Sequence, residues 1–337
     1  MKALWITTAA TAVLMAACAE PQPDAEDEAA APAETGEAAM EADGDAAGAP
    51  AQEADEAATD GAQETEDTSG DAPMSEAAAG EAEDAALAAV LGDPRREADT
   101  ARDEFRNPAA TLEFFEVAPD QTIVEALPGG GWYTRILAPY LADEGRYMAI
   151  NYPMAVYDAL FEGMDDETRA RLEGWEESFA ERVEAFGGEA AGLFRFGEVP
   201  MEARGQADRV LYIRALHNLA RTGRLDTAAE DAFALLRPGG ILGVVQHRAP
   251  ADETDARADG SRGYLREADV TAAMEAAGFE LVEASDINAN PDDSADYDNG
   301  VWMLPPTNAG DSEGEDVPPL QSVGESDRMT LKFRKPE

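Results

Sequence analysis

The 337-residue chain has a single cysteine and only two histidines, which limits the chemistry that it can support. Because Cys18 is the only thiol, the folded part of the chain contains no disulfide. The histidines, His217 and His247, are not part of an H-x-x-H or H-x-x-x-H motif. Each would need carboxylate ligands from elsewhere to bind a transition metal, so we expect no metal site.

Basic residues are also scarce, and none occurs between Lys2 and Arg95. Residues 20–84 contain 22 Asp and Glu, and the chain as a whole carries a net charge of −46, which leaves about −25 on the rest after Lys2 is also removed. Such an acidic, apolar-poor segment cannot bury enough surface to offset the entropy of ordering it. We predict a disordered acidic tether over residues 19–84, and no nucleic-acid partner, since phosphate binding needs clustered Lys and Arg.

The N-terminus has the pattern of an export signal. Lys2 precedes an apolar run from Ala3 to Ala17, and small residues lead into Cys18. This stretch resembles a bacterial lipoprotein signal peptide, which implies lipidation at Cys18 and attachment to a membrane of the bacterial cell envelope. A plain cleaved signal peptide and an N-terminal anchor remain alternatives. Fifteen apolar residues are too few for a typical transmembrane helix.

From residue 85 onward, apolar patterns with strand and helix periods alternate, which predicts an α/β domain with a mostly parallel sheet. The predicted strands are 121–126, 146–151, 193–196, 209–214, 241–246, 280–287 and 329–333. The predicted helices outside the 153–188 region are 81–91, 95–105, 108–115, 132–141, 225–236 and 267–277.

Residues 153–188 have a purely helical pattern. Leu172, Trp175, Phe179, Val183 and Phe186 are spaced three or four residues apart and therefore share one helix face. This region is either a helical cap over a ligand cleft or an ordinary crossover helix with a long lead-in, and the pattern alone leaves both open.

The most informative stretch is Ile123–Tyr133, in which a short apolar strand with Glu125 ends in the turn Pro128-Gly129-Gly130-Gly131. The letters L-P-G-G-G-W do not fit the dinucleotide pattern G-x-G-x-x-G, and no lysine supports a phosphate loop. The stretch therefore indicates a βα turn for a small ligand other than a phosphate.

The block Val124–Thr134, together with Leu235–Ala249, resembles the class I methyltransferases that use S-adenosylmethionine. Four further segments are similar to a narrower group of bacterial exported methyltransferases predicted from sequence: 214–218, 287–291, 300–306 and 324–336. The resemblance implies a three-layer, Rossmann-like fold with a seven-stranded sheet whose last strand is antiparallel.

The resemblance also implies which residues would bind S-adenosylmethionine. The glycine turn would lie beneath the methionine part, and Glu125 would organise the turn or meet the amino group. The implied cofactor residues are Glu125, Pro128, Gly129, Gly130, Gly131, Tyr133 and Asn151. Two positions depart from the family pattern: Leu127 replaces the first glycine, and Asn151 replaces the acidic residue expected to bind the ribose hydroxyls.

Both histidines follow predicted strands, so the topology would place them at the same sheet edge as the glycine turn. A neutral imidazole there could deprotonate a methyl acceptor, and we take His217 and His247 as candidate catalytic residues. The alternative is that they cap helices or brace loops. Candidate substrate residues, which could equally serve packing or ion pairing, are Arg214, Arg248, Tyr264, Asn288, Asn290 and Trp302.

Two functions remain open from the sequence. The first is a methyltransferase of the cell envelope that transfers a methyl group from S-adenosylmethionine to a small or envelope-associated acceptor. The second is a lipoprotein that keeps the methyltransferase fold without the activity and binds some other small molecule.

Overall fold

The computed structural model describes residues 76–161, 163–307 and 320–337. The predicted signal peptide, Cys18 and most of the predicted tether lie outside these ranges. None of the helices in the described ranges has both the length and the apolar character needed to cross a membrane.

The centre of the domain is one seven-stranded sheet in the order β3-β2-β1-β4-β5-β7-β6. The strands are β1 (Thr122–Ala126), β2 (Arg146–Asn151), β3 (Ala190–Arg195), β4 (Ala207–Ile213), β5 (Leu236–His247), β6 (Glu280–Ser285) and β7 (Arg328–Arg334). Strand β7 runs antiparallel between β5 and β6, and the other pairs are parallel. The predicted fold class, a mostly parallel α/β sheet with its last strand antiparallel, is confirmed.

Helices flank both faces of the sheet. They are α1 (Glu76–Leu91), α2 (Asp103–Arg106), α3 (Pro108–Phe114), α4 (Thr134–Tyr140), α5 (Met154–Leu160), α6 (Asp166–Glu173), α7 (Trp175–Ala185), α8 (Leu216–Arg221), α9 (Leu225–Leu235) and α10 (Glu267–Ala276). Short 3-10 turns occur at 94–96, 100–102, 201–203, 300–303 and 320–322.

Alternate strand residues point to two separate cores. Ile123 of β1 and Leu211 of β4 pack with side chains of α3, α4 and α7. Their neighbours Val124 and Val210 belong to the other cluster, which includes side chains of α8, α9 and α10. This alternation follows from the two-residue period of a strand and produces a three-layer sandwich.

The helix predicted over 95–105 is wrong. The segment forms two 3-10 turns and the four-residue helix α2, because Asp99 and Arg102 make ion pairs with Arg135 and Glu325 elsewhere in the chain. Arg96 is fully buried, bonds the carbonyl of Leu91 and forms an ion pair with Asp103 at 2.7 Å. These contacts fix the chain in short turns instead of one amphipathic helix.

Other boundaries also differ from the prediction. Helix α1 begins at Glu76, so the expected tether boundary at residue 84 falls inside a helix. The alanine-rich sequence accounts for the difference, since alanine has the highest helix propensity. Helix α4 begins at Thr134 instead of Trp132, and α8 was not predicted at all.

The region 153–188 is divided into α5, α6 and α7. The side chain of Asp165 caps α6 by accepting from the Thr168 amide at 2.7 Å. Trp175, Phe179 and Val183 of α7 are buried against the sheet between β2 and β3. Helix α7 is therefore a crossover helix, although its first turn also lines the cavity described below.

Gly243 in β5 allows a test of how closely the helix layer packs on the sheet. A Cβ atom at Gly243 would lie 2.7 to 2.8 Å from three ring atoms of Phe115. We expect Gly243→Ala to lower the free energy of unfolding by about 1–3 kcal/mol, because Phe115 would have to shift within a packed core. Chemical denaturation measures this change. Gly80→Ala in α1 is the control, because a Cβ atom there would meet nothing within 4 Å. This substitution should leave stability unchanged or raise it slightly. Equal effects of the two substitutions would contradict the packing argument.

Candidate active site

A cavity of about 550 Å³ opens at the carboxyl ends of β1, β2, β4 and β5. The residues that follow these strands form its base, while α6, α7 and residues 301–307 contribute its walls. Its volume is in the range of small-molecule sites, and its place at the carboxyl edge of a parallel sheet is where ligands of such folds bind.

The glycine turn after β1 is held in an unusual backbone conformation. Leu127, Gly129 and Gly131 have positive φ angles of 55°, 53° and 86°. This conformation is strained for leucine and costs glycine little. Leu127 replaces the glycine expected from the resemblance, yet it keeps the backbone that glycine would adopt, and its side chain lines the cavity.

Two arginines hold the carbonyl groups of this turn. Arg135 donates from Nη1 to the Gly130 carbonyl at 3.2 Å and is anchored by an ion pair with Asp99. Arg182 donates from Nη2 to the Gly129 carbonyl at 3.3 Å. The amides of Gly129 and Gly130 donate to no acceptor among the described residues. The turn thus keeps donors available for an anionic group of a ligand.

Glu125 is buried beneath the turn and lines the cavity. Its Oε2 accepts hydrogen bonds from Tyr147 at 2.6 Å and from Thr134, the first residue of α4, at 2.8 Å. Burial, followed by the charge of Glu125, raises the pKa of Tyr147, so the phenol stays protonated and donates. The resemblance implied that Glu125 either organises the glycine turn or meets the amino group of the cofactor. This geometry supports the first role.

Asn151 lies at the carboxyl end of β2 and lines the cavity. Its Oδ1 already accepts from the Tyr152 amide at 2.8 Å and from the Tyr157 hydroxyl at 3.1 Å. An amide oxygen has two lone pairs. In this arrangement Oδ1 is therefore occupied by the protein itself and is not available to accept from ribose hydroxyls.

The two histidines meet in the cavity. His217 on α8 and His247 at the end of β5 have ring centroids 5.6 Å apart, and both are buried. Nδ1 of His247 shares a hydrogen bond with the Ser326 hydroxyl at 2.5 Å. Burial, aided by Arg221, lowers the pKa of His217 to about 3; burial and then His217 and Arg328 lower that of His247. Both imidazoles are therefore neutral near pH 7.

Of the predicted substrate residues, Arg214 and Trp302 line the cavity. Arg214 follows β4 with a φ of 60° and lies 3.8 Å from the Glu325 carboxylate. The Trp302 ring is edge-on to His217 at 5.8 Å and lies 5.7 Å from the Arg221 guanidinium.

No family model matches the sequence, and neither does any curated protein. Solved structures resemble the fold: a SAM-dependent methyltransferase from Aquifex aeolicus is 13% identical, covers 74% of this chain and 98% of its own, and has a TM-score of 0.42. The N-methyltransferase NodS from Bradyrhizobium japonicum, in complex with S-adenosyl-L-homocysteine, is 15% identical over 75% and 98%, with a TM-score of 0.40. The [4+2]-cyclase SpnF is 16% identical over 68% and 80%, also at 0.40. At these identities the likeness is one of fold alone.

Tyr264 and Arg248 do not line the cavity. The buried Tyr264 hydroxyl donates to the Asp293 carboxylate at 3.1 Å. Arg248 forms a bidentate ion pair with Asp327 at 2.8 and 3.0 Å and a third contact with Asp286. These contacts brace the loops after β5 and β6, so the structure does not bring the two residues to the ligand cavity.

Asn288 and Asn290 are likewise structural. Asn288 is buried and donates to the hydroxyls of Thr111 and Thr330. Asn290 donates through Nδ2 to two backbone carbonyls, those of Val323 and Glu325, at 2.8 and 2.7 Å. The predicted substrate residues thus divide into two that reach the cavity and four that hold its surroundings.

Among the predicted cofactor residues, only Gly131 is absent from the cavity lining. A Cβ atom at Gly131 would lie 2.9 Å from the Phe186 ring.

Sequence reasoning missed most of the charged lining. Arg106, Arg171, Arg182, Arg221 and Glu325 all line the cavity. For Arg221 a signal existed, since it lies four residues after His217 and so shares its helix face. For the others no local pattern distinguishes them from surface residues.

Among the described residues, no group of three or more His, Cys, Asp or Glu could hold a metal ion.

The lowered pKa values of the histidines predict how stability depends on pH. Between pH 6.5 and 5 the unfolded chain binds protons at the histidines and the folded chain does not, so stability falls as the pH falls through this window. The loss should be about 2 kcal/mol per histidine at pH 5. Urea unfolding at pH 5, 6 and 7.5 measures it.

A His217→Gln variant provides the comparison, because glutamine does not titrate. Its stability should change less between pH 7.5 and 5 than that of the wild-type chain, by about 2 kcal/mol. Carboxylates contribute equally to both proteins and cancel in the difference. An unchanged pH dependence in the variant would contradict a neutral, buried His217.

Proposed function

We propose that this chain is an S-adenosylmethionine-dependent methyltransferase of the class I fold. The observation that carries the proposal is the joining, in one cavity, of a glycine turn with available amides and two neutral histidines. The structural similarity to S-adenosylmethionine-dependent methyltransferases and the resemblance of Val124–Thr134 to their motif support it.

The cavity residues fit the cofactor in part. The amides of Gly129 and Gly130, with Arg182 beside them, would bind the methionine carboxylate. When bound, S-adenosylmethionine supplies an electrophilic methyl group and leaves as S-adenosylhomocysteine. A neutral imidazole, His217 or His247, would accept the proton that the acceptor's oxygen or nitrogen loses. The remaining contribution of the protein is alignment within a confined cavity.

A second candidate function is supported by the departures at Leu127 and Asn151. The Leu127 side chain occupies space in the cavity, and the Asn151 Oδ1 is taken by Tyr152 and Tyr157. Both would weaken the binding of S-adenosylmethionine. They favour a methyltransferase fold that binds a different small molecule in the same cavity without transferring a methyl group.

Isothermal titration of the full chain with S-adenosylmethionine and S-adenosylhomocysteine separates the two functions. We expect saturable binding, and we expect Asn151→Asp to bind S-adenosylhomocysteine about tenfold more tightly. In the variant one carboxylate oxygen keeps the bonds from Tyr152 and Tyr157, and the second can accept charge-assisted bonds from the ribose.

Asn299→Asp, which adds the same charge at an exposed position outside the cavity lining, is the matched control and should leave affinity unchanged. If neither the wild-type chain nor Asn151→Asp releases heat at high micromolar ligand, the methyltransferase proposal fails and the second candidate stands.

We further propose that the protein acts in the bacterial cell envelope, attached to a membrane by a lipid on Cys18, on a small or envelope-associated acceptor. Support comes from the pattern around Cys18 and from the resemblance of 300–306 and 324–336 to exported bacterial methyltransferases.

The lipid anchor predicts the behaviour of Cys18→Ser. Palmitate labelling should mark the wild-type chain and not the variant, because serine cannot carry the thioether-linked lipid, and the variant should keep an unprocessed mobility or leave the membrane fraction. Ala17→Gly serves as a control that retains the thiol. A Cys18→Ser protein that stays membrane-bound with the mobility of the mature wild type would refute lipidation.

A further inference from the structure

The charge of the cavity is opposite to that of the chain. The whole sequence contains 71 Asp and Glu against 25 Lys and Arg, yet the cavity is lined by five arginines and two glutamates, with no aspartate or lysine. Burying guanidinium groups is unfavourable unless a charge or hydrogen bond compensates them. A local excess of positive charge in so acidic a protein therefore indicates a site for an anion.

The two cavity carboxylates do not neutralise all of these arginines. Glu125 is engaged by the hydroxyls of Thr134 and Tyr147. Glu325 is bound by Arg106 at 3.0 Å and by Arg328 at 3.1 Å, and its distance to Arg214 is 3.8 Å. The strongest contacts of Glu325 thus go to arginines other than Arg214.

Arg221 is a weakly compensated cation of the cavity. It forms no salt bridge with any described residue, and its Nε is buried without a hydrogen-bond partner. Its guanidinium lies 5.7 Å from the Trp302 ring centroid, which fixes its position without reducing its charge. Burial lowers the pKa of Arg221, and Tyr152 and Asp259 offset this effect only in part.

Arg214 shows a second sign of a functional position. Its φ of 60° lies in the left-handed region, which is unfavourable for arginine, and its amide donates to the Val245 carbonyl at 2.6 Å. Its Nε, like that of Arg221, is buried without a partner. Backbone strain of this kind persists only where surrounding structure enforces it, and it occurs often at functional sites.

Arg214 and Arg221 lie on either side of His217 in the sequence, and all three line the cavity with His247 and Trp302. The buried Nδ1 of His217 and Oδ1 of Asn218 also have no partner among the described residues. The two arginines and the two histidines follow β4 and β5, whereas the glycine turn follows β1 and Arg182 lies in α7, after β2. The cavity therefore has two places for an anionic group, one at the turn and one beside the histidines.

We infer that the acceptor carries a carboxylate or phosphate group, bound by Arg214 and Arg221 beside His217, while the glycine turn serves the cofactor. The anion site itself is argued from the cavity residues alone. The identification of its ligand as the methyl acceptor rests on the proposed function. The anion would place the acceptor's reacting atom near the imidazoles, and Trp302 offers an apolar surface for the rest of the molecule.

Nuclear magnetic resonance of the histidine rings tests the inference directly, because His217 and His247 are the only two signals of their kind in the chain. The probes are benzoate, phenyl phosphate and the neutral benzamide, titrated into the full chain. We expect benzoate or phenyl phosphate to shift the ring signals saturably, and benzamide to bind at least tenfold more weakly. Preference for one of the two anions identifies the group as carboxylate or phosphate.

Variants separate this site from general attraction to positive charge. Arg221→Gln should weaken anion binding at least tenfold, and Arg221→Lys, which keeps the charge, should weaken it less. Arg146→Gln removes the same charge at an exposed position outside the cavity lining and should change nothing. The thermal unfolding midpoint of each variant checks that it is folded.

The inference would be overturned if benzamide bound as tightly as the anions, or if no probe bound at all. It would also be overturned if a folded Arg221→Gln variant bound the anions as tightly as the wild-type chain. Titration of the same variant with S-adenosylhomocysteine distinguishes the inference from the proposed function. Its affinity should stay within about twofold of wild type; a tenfold loss would place the cofactor, not the acceptor, at Arg221. Absence of S-adenosylhomocysteine binding by the wild-type chain would defeat the proposed function alone.

Discussion

A single buried carboxylate, that of Glu325, joins distant parts of the domain around the cavity. It binds Arg106 of α2, Arg102 before that helix, and Arg328 at the start of β7, all within 3.2 Å. Burial alone would raise the pKa of Glu325, but Arg106, Arg328 and Arg102 hold it below its ordinary value, so the group stays ionised. Removing one partner of such a buried group is far more costly than its net contribution suggests. The N-terminal turns and the last strand are therefore fixed relative to each other by charge.

The position of the glycine turn follows from the same ionic cluster. Arg106, held by Glu325, lies 4.7 Å from the centroid of the Trp132 ring, and Arg96 lies 5.2 Å from it. Trp132 comes directly after the three glycines, whose backbone is conformationally permissive. On the other side, Ser326 next to Glu325 bonds His247. One carboxylate thus orders both the turn proposed for the cofactor and one of the two candidate bases.

The sequence predicted the sheet well because strand and helix periods are local properties. All seven strands and the placement of both histidines at the edge of the glycine turn agree with the structure. The antiparallel last strand, which the family resemblance implied, agrees as well. The ionic cluster could not be predicted, since Arg106 and Glu325 are separated by 219 residues and no pattern marks either as buried. The same holds for Asn151, whose loss of acceptor capacity depends on where Tyr157 points. The helix predicted over 95–105 failed because Asp99 and Arg102 form tertiary ion pairs with Arg135 and Glu325 instead of lying on a solvated helix face.

The charge balance of the cavity connects the histidines to the ligand. Burial is the main cause of the low pKa of His217, and the positive charge of Arg221 adds to it. An anion bound between Arg214 and Arg221 would cancel the effect of the Arg221 charge on the pKa of His217. It would favour the protonated imidazole, since opposite charges nearby stabilise the ionised form. His217 would then be a poor base in the empty cavity and a better one beside its acceptor. The same arginines that select an anionic ligand would in this way adjust the proton affinity of the residue proposed to act on it.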